Sequence, residues 1–199
     1  MALRSTMATL IARVRLLIND PSGASQQFAD TDIQDILDES RVDVFNMPLK
    51  DQPTFSGSTI LYLDYLSDLG GWEDGMVLKQ YLTVTVTPSL IEPIAGHFQF
   101  AQSTFPPIYL TGKIYDVYRA AADLLERWAA RYALQFDFSS DSQSFHVSQA
   151  STQLLNLAKS YRRKQRPGTI KFSRGDMNTG EEQNNVSLDA KPIDYMASG

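Results

Sequence analysis

The chain has no cysteine among its 199 residues, which excludes a disulfide framework, thiol catalysis and a thiolate-held metal. Histidine is nearly as scarce. His97 and His146 are the two; they stand far apart, and neither has a partner at metal-ligand spacing. No apolar run approaches the ~18 residues that a membrane-spanning helix needs, so no membrane partner is expected. Arg13 and Arg15 interrupt the apolar opening MALRSTMATLIARVRLLIND, which argues against a secretory leader and for synthesis in the cytoplasm. There is no Walker-type loop, no Gly-x-Gly-x-x-Gly and no Gly-x-Ser-x-Gly elbow. Nucleotide-binding and serine-hydrolase chemistry therefore lack their motifs, and no cofactor is implied.

What is present supports a folded core: 43% hydrophobic and 11% aromatic residues. The net charge of −5 is unevenly placed. Lys159, Arg162, Arg163, Lys164, Arg166, Lys171 and Arg174 are seven cations with no acidic residue between them; the rest of the chain carries 11 basic against 23 acidic residues, a net of −12. A body so acidic repels duplex phosphate over most of its surface.

Along the chain, residues 5–19 predict a first helix through Met7, Leu10, Ile11, Val14, Leu17 and Ile18, stopped at Asn19-Asp20-Pro21. FADTDIQDILDESRVDVF predicts a second. Asp30 or Thr31 serves as its cap, Thr31 and Gln34 as a capping box, and Ile33, Ile36, Leu37, Val44 and Phe45 as its stripe, with Pro48 ending it. The period then changes. TILYLDYL, MVLKQYLTVTVTP, GHFQFAQ and PPIYLTG are β-branched and aromatic, and Leu82, Val84 and Val86 alternate with threonines. GKIYDVYRAAADLLERWAARYALQF predicts a third helix, with Ile114, Val117, Ala121, Leu124, Leu125, Trp128 and Tyr132 on one face. After the polar break DFSSDSQSF, a fourth helix runs from about Ser148 to Gln165.

Two acidic groups invite a chemical interpretation. Asp35, Asp38, Glu39 and Asp43 share the second predicted helix, but without a histidine or a second acidic helix they fit a solvated face better than a metal or acid–base pair. Asp64, Asp68, Glu73 and Asp74 flank Gly70-Gly71, yet DYLSDLGGWEDG lacks the alternating oxygen ligands of a calcium loop. The basic strip admits three explanations: a solvated helix end suited to the dipole, a nucleic-acid contact with Tyr161 and Phe172 as aromatic neighbours, or a contact with an acidic protein such as another copy of this chain. Beyond the strip, Ile170, Phe172, Val186, Leu188, Ile193 and Tyr195 are apolar anchors spaced through a polar tail, the pattern of a segment that folds on a partner.

Three stretches, FADTDIQDILDESRVDV, GKIYDVYRAAADLLERWAARYA and DFSSDSQSFHVSQASTQLLNLAKSYRRK, resemble the head-tail connector, or adaptor, proteins of long-tailed bacteriophages. The resemblance implies a non-enzymatic virion protein of the viral neck: a ring of twelve copies docked beneath the portal and joined to a downstream neck or tail protein. Genomic DNA passes through its channel without sequence-specific binding. It places the C-terminal arm at the portal or at a neighbouring copy, which assigns Arg162, Arg163, Lys164, Arg166, Ile170, Lys171, Phe172, Arg174, Ile193 and Tyr195 to partner binding. The expected fold is α+β, mainly an α-helical bundle of about four helices (1–57 and 112–166). It carries an inserted small antiparallel β subdomain (58–111) and an extended C-terminal arm (167–199). A stopper or tail terminator is the alternative within the neck. A nucleic-acid-binding protein using residues 159–174 and a hydrolase using the second-helix carboxylates are alternatives outside it.

Overall fold

The structure, a computed structural model, describes residues 2–133, 138–140, 143–145 and 147–166. The chain divides into two units, Met1–Arg166 and Pro167–Gly199, and every described residue belongs to the first. The predicted arm, with Ile170, Lys171, Phe172, Arg174, Ile193 and Tyr195, lies outside the described residues, as does His146.

A single 3-10 turn, Ser5–Met7, leads into α1 (Ala8–Ile18). Met7, Leu10, Ile11, Val14 and Ile18 are buried on one face. Asn19 closes the helix in the left-handed region at φ 55, a conformation its short polar side chain tolerates. Arg15, which reads in the sequence as a break in an apolar run, is 7% exposed. Its guanidinium donates to Asp30 Oδ1 at 2.6 and 2.8 Å, to Asp20 Oδ2 at 3.2 Å and to the Phe28 carbonyl at 2.8 Å. One side chain thus ties α1 to the loop that follows and to the start of α2 (Asp30–Asp38). The cap of α2 is Ala29, and Asp32 accepts from its N–H at 3.2 Å. Gln34, expected in a capping box, is buried instead; its side chain accepts from Arg4 N and donates to the Ala2 carbonyl.

The chain is not mainly a helical bundle. It is a sheet-rich α+β fold in which two antiparallel sheets of four strands accompany the four described α-helices. Strands begin where the second helix was expected to continue. Ser40 N and Oγ both bond the Leu37 carbonyl, ending α2, and Val42–Pro48 is β1. Val44 and Phe45 fall at helical spacing from Ile36 and Leu37, but VDVF also alternates with period two, and pairing decides. Val44 is buried and Phe45, on the opposite face, is 76% exposed, while a bulge between Val44 and Met47 returns Met47 to the buried face.

The first sheet has the order β1, β8 (Ile108–Ile114), β4 (Val77–Gln80), β5 (Val84–Val86). The second runs β2 (Lys50–Ser56), β3 (Thr59–Leu66), β7 (His97–Gln99), β6 (Leu90–Glu92). The GKI expected to open the third helix belongs to β8, where Val42 pairs with Ile114 and Leu78 with Leu110. Leu82, expected in a strand, lies in the turn between β4 and β5, where it and Tyr81 take positive φ. Val44, Met47, Leu49, Tyr65, Trp72, Leu78, Phe98, Phe100, Ile108, Leu110 and Ile114 form the core of this half.

Asp116 caps α3 (Val117–Ala133): its Oδ1 accepts from Tyr118 N at 3.1 Å and Arg119 N at 3.0 Å. Ala120, Ala121 and Ala122 are fully buried, and small residues let neighbouring helices approach closely. The expected polar break contains a short hairpin, β9 (Phe138–Ser140) with β10 (Gln143–Phe145). Helix α4 (Val147–Arg162) then returns antiparallel to α3, since Ser151 meets Ala129 while Arg162 meets Asp123. The helices share a second core, from Met7 through Leu125 to Ala158. β8 feeds both cores: Ile114 enters the sheet core and Tyr115, one residue on, enters the helical one.

Candidate functional site

The structure divides the basic strip among different tasks. Arg162 donates across the helix pair to Asp123 and to Glu126, at 2.9 and 3.2 Å for the latter, so its charge is neutralised within the chain. Both contacts hold it above the ordinary arginine range; the Glu126 hydrogen bond acts most and outweighs the cost of burial. Lys159 and Arg163 are exposed. Lys164 lies over the ring of Tyr118, 5.8 Å from its centroid.

Arg166 turns inward. Its Nη2 donates to the carbonyls of Gly70 and, at 2.9 Å, Tyr115, and its backbone N–H donates to Asp116 Oδ2 at 2.6 Å. Burial lowers this guanidinium's pKa, opposed by the Asp116 charge. The pair Gly70-Gly71 makes this possible. A Cβ at Gly70 would overlap the Ile94 carbonyl, and one at Gly71, which has φ +72, would overlap the Tyr115 carbonyl. Sequence inspection marks these glycines only as a turn; their function is to let two backbones lie together beneath an arginine.

Around Arg166 is a cleft of about 240 Å³ lined by Arg13, Gly70, Gly71, Ile94, Asp116, Val117, Tyr118 and Lys164. Three cations face one carboxylate there. Both oxygens of Asp116 are engaged by backbone N–H groups. Arg13 Nε is buried and has no hydrogen-bond partner among the described residues.

A second cleft, about 350 Å³, lies beside Arg4, Thr6, Glu73, Asp74 and Lys113. Glu73 is its buried centre. Thr6 Oγ1 donates to it at 2.6 Å and Tyr115 OH at 2.7 Å, with Arg4 Nε and Lys113 Nζ each 3.7 Å away. Burial opposes ionisation, but the two hydrogen bonds and two cations prevail and hold the Glu73 carboxyl below its ordinary range. A carboxylate so stabilised is a poor proton acceptor at neutral pH, and its partner Tyr115 is raised by burial and by Glu73. The arrangement is a structural ion cluster.

The remaining candidates separate. Asp35 and Glu39 are exposed at α2, Asp38 pairs with Arg4, and Asp43 belongs to β1 and pairs with Arg41 at 2.9 Å. The four carboxylates therefore do not share a helix face. Asp64 lies 3.1 Å from His97 Nε2, and Asp68 pairs with Lys50. Among the described residues, no group of three His, Cys, Asp or Glu side chains is placed to hold a metal ion. None of the described helices is long and apolar enough to cross a membrane. The chain matches no family model, no curated protein and no solved structure.

Proposed function

We propose that the protein is a structural adaptor of the phage neck. A ring of copies joins the portal to the downstream neck or tail proteins around the DNA channel, and the segment after Arg166 grips the portal. The observation that carries this is the fixed exit of the chain. Arg166 is bonded through both backbone and side chain to Gly70, Tyr115 and Asp116, and 33 residues with spaced apolar anchors follow it. An anchored root restricts where the following segment searches and lowers the entropic cost of its capture. Support comes also from the order of the three resembling stretches and from the body ahead of the strip, residues 1–158, which carries 10 basic against 18 acidic residues, a balance that disfavours adhesion to DNA passing through.

The test compares the full chain with one ending at Arg166 for joining to purified portal rings. The full chain should bind and the shortened chain should fail; equal binding would remove the arm from the interface. A stopper or tail terminator is a second reading, favoured by the two four-stranded sheets, because such proteins are dominated by β structure. Binding to tail tube ends and not to portals would select it.

A further inference from the structure

The cleft around Arg166 has more positive charge than the chain itself uses. Arg166 spends its Nη2 on two carbonyls, and Asp116 spends both oxygens on backbone N–H groups. Arg13 and Lys164 are then left facing about 240 Å³ of space with no carboxylate from the described residues paired to either. The Arg13 Nε is also a buried donor without an acceptor among the described residues, an unfavourable state for a polar group. Two cations lining one recess, one of them with an unpartnered Nε, suit one carboxylate side chain. They do not make the continuous track that a nucleic-acid backbone requires.

A complementary surface exists on the same molecule. Helix α2 buries Ile33, Gln34, Ile36 and Leu37, which leaves Asp32, Asp35 and Glu39 exposed on its outer side. These positions are three and four apart and form one ridge. Asp32 bonds Ala29 N and Glu39 lies 3.6 Å from Arg127, whereas Asp35 has no ion pair among the described residues. Ridge and cleft are separate sets of residues, although Ser40, just after the ridge, accepts from Asp116 N of the cleft at 3.0 Å. Arg15 reaches Asp30 at the start of α2, and Arg13, two residues away on α1, points about 200° around the helix from it. Two unlike, complementary patches give a head-to-tail contact, which propagates into a ring when the rotation closes.

We infer that this cleft receives the carboxylate of Asp35 from the α2 ridge of a second copy, with Arg13 and Lys164 as its cationic walls. The inference rests on the ring proposed above and names the contact that builds it.

Charge reversal in the full chain tests it, read by sedimentation velocity over a range of concentrations. Arg13→Glu and Asp35→Arg should each weaken self-association by about tenfold or more, and the two together should restore it. Misfolding does not produce such rescue. Because the chain has no cysteine, a second variant is clean: Lys164→Cys with Asp35→Cys should give a ladder of disulfide-linked oligomers on oxidation. Lys164→Cys with Ser58→Cys, at the far hairpin turn, should not. If rings form but neither reversal changes them and no ladder appears, the cleft assignment is overturned while the ring stands. A chain that stays monomeric at every concentration, alone and beside portal rings, overturns both. If Arg13→Glu abolishes salt-sensitive DNA binding and leaves association unchanged, the cleft is a phosphate site and the inference fails.

Discussion

Glu73 is a carboxylate that the fold keeps ionised inside the protein, and the pH dependence of stability should report it. Its pKa in the folded protein lies below the ordinary 4.5, so the unfolded chain takes up this proton first as pH falls. The stabilisation is therefore complete above pH 4.5 and is lost as pH drops through the folded value. Glu73→Gln should cost about 2 kcal/mol at neutral pH, with a gap from the parent protein that narrows in acid, measured by urea unfolding at several pH values. The alkaline side has the opposite sign. Tyr65 is pushed up to about 12 by burial first and by the Asp51 charge second. Tyr115 is raised by burial and by its bond to Glu73. Both phenols prefer to stay neutral in the fold, so their contribution is full below pH 10.0 and is lost as pH rises above it. Phenolate absorbance during an alkaline titration should show Tyr65 and Tyr115 ionising together with unfolding. Arg15 offers a further test. Asp20 is 2% exposed beside it, so Arg15→Ala strands a buried charge and should cost about 3 kcal/mol.

At the scale of elements, β8 and α4 carry the informative contacts. Gly112 sits in β8 where an added Cβ would lie 3.0 Å from Met76 Cβ and 3.3 Å from Trp72 Cε3. Gly112→Val should therefore overpack the sheet core by about 1–3 kcal/mol and change the emission of the buried Trp72. Helix α4 holds Arg162 against Asp123 and Glu126 of α3, while Arg163, the next residue, is exposed. Arg162→Ala should destabilise the fold by about 1 kcal/mol or less, read as a slightly lower melting temperature, whereas Arg163→Ala should leave melting unchanged. If the basic strip meets a partner, Arg163→Ala should be the variant that weakens that binding, checked by pull-down with portal rings. Adjacent cations in one run thus answer different questions.

For the whole molecule, the buried residues of both cores lie between Met7 and Ala158. A chain ending at Arg166 should consequently melt within a few degrees of the full chain, followed by circular dichroism. A large loss of stability would mean that residues after Arg166 complete the first unit. The same spectra should show substantial sheet alongside helix, as two four-stranded sheets require.

Local chemistry made several elements legible in the residues. The helical face of Met7, Leu10, Ile11, Val14 and Ile18, the strand Thr59–Leu66 and the long alanine-rich α3 follow from periodicity that no neighbour overrides. The four helices among the described residues follow from the same signals, whereas β1, β2 and the β9–β10 hairpin do not. Tertiary pairing decided the rest. Val42–Pro48 and Gly112–Ile114 carry apolar spacing that satisfies a helix and a strand alike, and each became strand because its backbone found a partner, β1 with β8 and β8 with β4. The basic strip was visible as charge, but whether each cation faces solvent, a helix or a carbonyl depends on what the fold brings beside it. Charge and period belong to the chain; a counterion or a hydrogen-bond partner forty or a hundred residues away belongs only to the folded molecule.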